Sequence, residues 1–419
     1  MVPEHIEDAR TEFPDIAVYG SHAEMLEAER LDIVVEPETT GLRSALGRIL
    51  STDVVADRSV PPHDNAAVDG YAVSFDDLDR NGETRLPVFA RVAAGQALNR
   101  VIAPGEAIRI FTGAPMPDGM DTVLMQEDCR RESNVVVIPP GIKRGANRRL
   151  AGEDIEGGSV ILRAGRRLRP QDIGLAASIG RTALEVYRPL CIGLFSTGDE
   201  IREVGDELPP GCVYDANRYA LIGLLESLGC IVKDLGILPD QFITIRDALK
   251  SAAASHDLIV TSGGVSTGDE DHVRQAVSEL GSIHFWRLAI RPGRPLALGQ
   301  VGDIPFLGLP GNPVAVMVTF MRFARPAILL MSGCSNIRPL TFHVRASFGY
   351  KKKLNRREWL RVLLFVDDDG TPAVRKFPRD GAGILSSMVA ADGLVELPED
   401  LASVEPGAMV EFLPFSEVS

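Results

Sequence analysis

The chain reads as a multi-domain α/β-plus-β protein: a mostly parallel α/β domain, a β-rich inserted domain and a small C-terminal β domain. Three observations predict this. Between 189 and 333, apolar β-branched runs alternate with helical patterns, the rhythm of βαβ units on a parallel sheet. Between 57 and 149, short β-like runs are separated by Gly, Pro and Asp turns, with eight prolines in the segment. Beyond 338, short strands return between Asp-Asp-Asp-Gly and Pro-Gly turns, a second β-rich unit.

Taken in order, residues 1–18 are polar and acidic with two prolines and are expected to be disordered. Met25, Leu26, Leu31 and Ile33, set among charges, predict a short amphipathic helix over 21–35. A second helix is expected over roughly 40–50. Runs at 71–74, 86–92, 106–110, 122–125 and 134–138 predict strands whose spacing suggests a small barrel or barrel-like insert. A helix near 170–179 follows, with Pro170 suited to its first turn. In the α/β region CIGLF leads to a helix over 216–228, CIVKDLGIL to one over 244–254, and DLIVT to one over 272–280. Strands near 284–290 and 295–298 come next, then FLGL and a long helix over 312–330. The expected division is 1–18; 19–56 with 150–188 as a discontinuous linker and helical domain; 57–149; 189–333; and 334–419.

A length of 419 residues suits two to four domains. With 45% apolar and 24% charged residues, the composition is that of a soluble globular protein. The net charge of −14 argues against a nucleic-acid partner, although a local arginine cluster can still attract a small anion. Cys129, Cys191, Cys212, Cys230 and Cys334 include no C-x-x-C pair and read as free thiols in a reducing cytosol. MVPEHIEDAR lacks the apolar core of a signal peptide. The longest apolar stretch, around Pro313–Met331, is interrupted by Arg322 and Arg325. A cytoplasmic protein with no membrane partner is expected.

The most informative stretch is DLIVTSGGVSTGDED (257–271). A strand ending in Ser262-Gly263-Gly264 exposes consecutive backbone N–H groups, which cradle phosphates and other oxyanions. Asp269, Glu270 and Asp271 follow and could hold a hard cation such as Mg²⁺ against the same anion. CIGLFSTGDE (191–200) repeats the pattern, and two such strand ends in one sheet converge on a single crevice. The competing reading is of tight turns and solvated carboxylates at helix starts. HFWRLAIRPGRPLALG (284–299) places Arg287, Arg291 and Arg294 near a strand end and a Pro-Gly turn; strand alternation puts Arg287 and Arg291 on one face. LPGNP (309–313) locks the backbone before the long helix, with Asn312 as N-cap and Pro313 at N1. That helix start is expected to aim its N–H groups at the crevice.

HDNAAVDGYAV (63–73), IFTGAPMP (110–117), GED (152–154), FSTGDE (195–200), TSGGVSTGDEDH (261–272), RPGRP (291–295) and LPGNPVA (309–315) occur in this order. Each alone is weak; together they resemble the molybdopterin molybdenumtransferase family, which includes the C-terminal domain of gephyrin. The resemblance covers nearly the whole chain from about residue 21. It implies an elongated, homodimeric, four-domain, Mg²⁺-dependent enzyme of molybdenum cofactor synthesis. Its substrates would be adenylylated molybdopterin and molybdate, and AMP would be released. Partners would include the upstream adenylyltransferase and acceptor molybdoenzymes.

Carried over by position, the acidic site residues are Asp154, Glu200, Asp240 and Asp271, with Glu200 and Asp271 as metal ligands. Asp69 and Thr112 match site positions in the β-rich half and would reach the crevice only from a neighbouring domain, across the dimer. Substrate would be held by Ser262, Gly263, Gly264 and Ser266, by Arg287, Arg291 and Arg294, by Pro310 and Pro313, and by Arg361. Arg287 and Arg291 stand where the family often has lysines; a guanidinium grips an oxyanion bidentately, whereas an ammonium is a point charge. Ala382 stands where a serine is common. The rivals are the single-domain adenylyltransferase of the same pathway, which lacks the segments before and after the α/β domain, and a catalytically degenerate scaffold paralogue.

Overall fold

The computed structural model describes residues 16–17, 32–98, 102–265 and 272–418. The helix expected over 21–35 falls largely outside these residues. So do residues 1–18, apart from Ile16–Ala17, a two-residue strand parallel to Phe285 and Trp286 where disorder was expected.

The helix expected over 40–50 is shorter than expected, with a strand running into its start. Pro37–Gly41 pairs antiparallel with Ala183–Tyr187, and helix occupies only Leu42–Ala45. Thr39 and Thr40 favour the extended chain, and Gly47, at φ 78°, ends the helical turn as glycines past a C-cap do. Val54–Val55 pairs with Val160–Leu162, and Pro170–Ser178 is helical with Pro170 in its first turn. Ala45, Leu50, Val54, Leu162, Leu168 and Val186 share one core, so residues before 57 and after 150 pack together.

Between them, six strands form one sheet in the order Thr122–Met125, Gly70–Val73, Ala107–Ile110, Thr84–Val92, Val135–Ile138, Arg130–Glu132. Ala72, Ile108 and Val123 pack on one face and Tyr71, Ala107 and Leu124 on the other, as alternation requires. Among the described residues the outer strands do not meet, so the barrel expected here is an open sheet.

The α/β region follows its predicted rhythm closely. Its elements are β1 (Cys191–Thr197), α1 (Ala216–Ser227), β2 (Ile231–Leu238), α2 (Phe242–Ala253), β3 (Leu258–Ser262), α3 (His272–Leu280), β4 (Gly281–Arg287), β5 (Pro295–Val301), β6 (Ile304–Leu309) and α4 (Pro313–Met331). The sheet order is β4-β5-β6-β3-β1-β2, with β6, β3, β1 and β2 parallel and β5 and β4 antiparallel at one edge. Every residue of β3 is buried, as expected of a strand covered on both faces. α4 is long and apolar enough to cross a membrane, but 83% of its most apolar window is buried, which makes it the core helix. It widens to a π-helical turn over Phe320–Ala324, just before Pro326, which has no N–H for the carbonyl one turn back.

The C-terminal strands β7 (Phe342–Ala346), β8 (Arg357–Val366), β9 (Pro372–Lys376), β10 (Gly393–Leu397) and β11 (Met409–Pro414) close on themselves in the order β8-β9-β7-β11-β10-β8. This five-stranded barrel is filled by Val344, Leu360, Val362, Val374, Val395 and Phe412. Glu396 fastens it to the α/β domain: it pairs with Arg322 of α4 at 2.8 Å and accepts from Trp359 Nε1 at 2.9 Å. Ile290–Arg291 leaves the α/β sheet and pairs with Arg357 and Glu358 of the barrel. The continuous strand that would have put Arg287 and Arg291 on one face is therefore broken between them, because the chain crosses domains there.

Candidate functional site

The C-terminal ends of three parallel strands lie side by side: Ser196 of β1 is opposite Ser262 of β3, which is opposite Leu309 of β6. Gly263 and Gly264 turn the chain away at φ 89° and 65°. A Cβ on Gly263 would lie 2.8 Å from the Thr197 carbonyl oxygen, and one on Gly264 2.4 Å from Val273 Cγ2, so both positions require glycine on steric grounds.

Asn217, buried in the first turn of α1, braces this turn by hydrogen bonds. Its Nδ2 donates to Ser262 Oγ at 3.0 Å and to the Gly311 carbonyl at 2.7 Å. Sequence reasoning missed it; the available signal was a polar residue two places after Asp215, which caps α1 by accepting from Arg218 N at 3.1 Å. Arg218 is itself buried among Asp215, Asp234 and Glu203. Burial would lower its pKa, but these carboxylates hold it above the ordinary arginine value.

In front of the Gly-Gly turn lies a cavity of about 810 Å³, lined among others by Thr197, Glu200, Asp240, Gly263, Gly264 and Pro313. Two of the predicted carboxylates, Glu200 and Asp240, thus share one wall. Gln241, not Asp240, occupies the N-cap position of α2. Ser196 Oγ and Thr197 Oγ1 are buried without a hydrogen-bond partner among the described residues. Ser262, expected to offer its hydroxyl to a ligand, is buried and receives Asn217 instead. Ser266 and Asp271 lie outside the described residues. Among those described, no three His, Cys, Asp or Glu side chains group closely enough to hold a metal.

A second cavity, about 300 Å³, opens at the joint with the barrel and is lined by Arg291, Arg294 and Arg361 together with Tyr350, Glu358 and Ala382. Arg361 is 7% exposed. Its Nε donates to Ser387 Oγ at 3.0 Å and its Nη2 to the Gly381 carbonyl at 3.3 Å. It has no carboxylate partner among the described residues, and burial pushes its pKa down. Arg291 Nη1 donates to Tyr350 Oη at 3.2 Å, and Tyr350 donates to the buried Glu358 at 2.8 Å. Burial, then that bond, pushes the Tyr350 phenol up to about 12. Arg287 ends β4 opposite Pro295; its side chain lies outside the described residues.

Pro295, Pro310, Gly311 and Asn312 line both cavities and form the wall between them. Asn312 is the N-cap residue of α4, without a side-chain capping bond. The expectation that α4 aims its free N–H groups at the crevice needs correction. Pro313 has none, and the Val314 N–H donates to the Ala382 carbonyl at 2.9 Å, so the barrel takes that donor.

Three predicted residues stand apart. Asp69 Oδ1 accepts from Thr112 N at 2.8 Å and Thr112 Oγ1 at 2.7 Å. Those bonds, the backbone one foremost, hold its carboxyl below the usual range. Asp154 is exposed in a loop whose N–H donates to the Val60 carbonyl at 3.1 Å. None of the three lines either cavity.

A glycine turn at converging strand ends, beside carboxylates and a guanidinium-lined recess, is the equipment of a protein that binds phosphate-bearing and oxyanionic small molecules. Comparison with known proteins narrows the class. Residues 20–180 match the MoeA N-terminal region (domain I and II), 193–329 a probable molybdopterin binding domain, and 343–415 the MoeA C-terminal region (domain IV). The chain is 35% identical to a molybdopterin molybdenumtransferase of Haemophilus influenzae over 93% of its own length and 96% of that protein. It is 32% identical to molybdopterin molybdenumtransferase 2 of Mycobacterium tuberculosis over 93% and 96%. The molybdopterin biosynthesis MoeA protein of Pyrococcus horikoshii superposes with a TM-score of 0.81 at 28% identity, covering 94% of this chain and 99% of that one. The chain belongs to the molybdopterin molybdenumtransferase family.

Proposed function

We propose that this protein inserts molybdenum from molybdate into adenylylated molybdopterin and releases AMP. The observation that carries the reading is the pair of cavities sharing the Pro310–Asn312 wall, one faced by a Gly-Gly turn and carboxylates, the other by arginines. The Gly263 N–H donates to the Leu309 carbonyl at 3.1 Å, so the run of free N–H groups expected from the sequence is shortened; a substrate with a pyrophosphate fits the first cavity against the Gly264 backbone beyond it. A tetrahedral oxyanion fits the second, where Arg361 and Arg291 offer forked donors. The thin wall keeps the two reactants adjacent, which is what a bimolecular transfer needs.

Glu200 is exposed and lines this cavity, as does Asp240; carboxylate oxygens are the donors Mg²⁺ takes, with water completing its shell. In this reading Glu200 and Asp271 hold it, and when bound it supplies charge neutralisation at the pyrophosphate. Asp69, Thr112 and Asp154 line neither cavity of their own chain, so a second copy brings its Asp69 and Thr112 to complete the site, and the working protein is a cytoplasmic homodimer. The chain divides at 57, 150, 189 and 334 into the segments expected above. Light scattering should give a dimer, and a fully active 45.2 kDa monomer would sink that part.

The deciding assay is AMP release from purified adenylylated molybdopterin with and without molybdate. Release that depends on molybdate supports the transfer. Formation of adenylylated molybdopterin from ATP would point instead to the adenylyltransferase. No reaction in either direction would point to the scaffold.

A further inference from the structure

A third cavity, about 700 Å³, opens where the 160–170 segment meets the turn after α4. The two segments are locked together there, with Ser335 N donating to the Gly165 carbonyl at 2.9 Å. Arg163, Arg166, Arg167 and Arg169 all line this cavity and no carboxylate does. Two carboxylates stand behind the wall. Asp53 pairs with Arg163 at 2.9 Å, and Asp172 pairs with Arg166 at 2.8 Å and Arg169 at 3.1 Å. The wall therefore keeps an excess of two positive charges in a chain whose net charge is −14.

Two guanidiniums here have only carbonyl partners among the described residues. Arg167 donates to the Gly47 carbonyl at 3.2 Å and the Ser227 carbonyl at 2.6 Å. Arg325, behind the cavity, donates to the Ile337 carbonyl at 3.1 Å. Arg166 Nε and Arg325 Nε are buried with no hydrogen-bond partner among the described residues. Buried N–H donors left unpaired cost free energy, and four guanidiniums on one lining without a carboxylate among them suit an anion. Leu46 and Val160, 52% and 38% exposed, add apolar surface to the same lining. A cavity of this size, mostly apolar with a few convergent charged donors, suits a small organic ligand.

We propose that this cavity binds a phosphate monoester of mononucleotide size, with its phosphate on Arg166 and Arg167 and its organic part against Leu46 and Val160. Forked guanidinium donors match a phosphate dianion bidentately. None of these residues lines either cavity of the proposed transfer site, so the inference stands independently of that reaction.

Calorimetric titration of the full chain at fixed ionic strength tests it, with uridine monophosphate and inorganic phosphate as probes and uridine as the uncharged control. Uridine monophosphate should bind, inorganic phosphate should compete with it, and uridine should not bind. Arg167→Ala should weaken binding about tenfold or more, the loss of one charge-assisted contact. Arg163→Glu alters an exposed side chain with little risk to folding, and by repelling the dianion it should weaken binding at least as far. Molybdate-dependent AMP release should be unchanged in both. Absence of binding to the unaltered protein, or equal affinity in all three proteins, overturns the proposal. Arg163→Glu dissociating a dimer while no phosphate ester binds overturns it as well, because the cavity would then be a contact between copies.

Discussion

The two cavities either side of the Pro310–Asn312 wall are built from different materials. The larger one is shaped by backbone: three strand ends in register, two glycines at positive φ, and Asn217 bracing the turn by hydrogen bonds. The smaller one is shaped by side chains that arrive from the 290s, the 350s and the 380s and meet only because the barrel docks on α4. Backbone construction tolerates change in the exposed charges of its rim but not in its glycines. Side-chain construction tolerates backbone neighbours but not the loss of a single buried guanidinium.

The sharpest way to break that contrast is Gly264→Ala. Positive φ and a Cβ 2.4 Å from Val273 together predict a loss of about 3 kcal/mol of stability. AMP release should disappear with the turn. Denaturant unfolding with the release assay measures both, and a stable, active variant would mean the turn is not the frame of the cavity. Next in size are Glu200→Ala and Asp271→Ala, which should fold normally by circular dichroism yet lose about a hundredfold or more in turnover if they share one metal. Acting as one unit, they should cost little more together than the worse single change. Normal turnover in either single variant removes that residue from the site.

The same contrast explains what could be read from the chain. Strand-turn-carboxylate strings are local, so the α/β rhythm was legible: α3 spans His272–Leu280 as expected, and Glu200, at the end of such a string, lines the cavity before the Gly-Gly turn; Asp240, which lines it too, came only from the family resemblance. Asn217 was missed because its partners, Ser262 and Gly311, are 45 and 94 residues away and its place after Asp215 marks only a helix start. The helix expected over 40–50 is cut to Leu42–Ala45 because the chain up to Gly41 is claimed by strand Ala183–Tyr187, a tertiary pairing that overrides local preference. Barrel closure likewise depends on β8 meeting β10, which no local pattern encodes. The shared face of Arg287 and Arg291 assumed one strand where the chain changes sheets.

In the smaller cavity, arginine-to-lysine changes sharpen the comparison. Arg361→Lys keeps the charge but loses the fork, so molybdate affinity should fall roughly ten- to a hundredfold, about 1–3 kcal/mol. Arg291 is 46% exposed on its side chain and already engaged by Tyr350; Arg291→Lys should fall at the lower end of that range. Affinity for adenylylated molybdopterin should move less than affinity for molybdate in both. Titration of each ligand separately decides it. Equal effects on the two ligands would mean the wall does not separate two sites.

A region outside both cavities sets a baseline against which they can be compared, since its effect should leave ligand affinity untouched. Asp172 is buried at the first turn of the Pro170–Ser178 helix. Burial alone would raise its pKa, but hydrogen bonds from Arg169 and Arg166 and from the Arg169 backbone N–H hold it at about 2, against an ordinary 3.8. A depressed carboxyl binds its proton more weakly in the folded state than in the unfolded one. Its stabilisation is therefore complete above about pH 5, declines as pH falls through the unfolded value, and is gone near pH 2. A shift of this size corresponds to about 2 kcal/mol. Asp172→Asn should consequently unfold more easily than the parent at pH 7, and the two should converge as pH drops towards 2. Denaturant midpoints across that range measure the convergence, and a gap of constant size would show that packing, not charge, is what Asp172 supplies. Because neither cavity includes Asp172, molybdate affinity at pH 7 should be the same in both proteins.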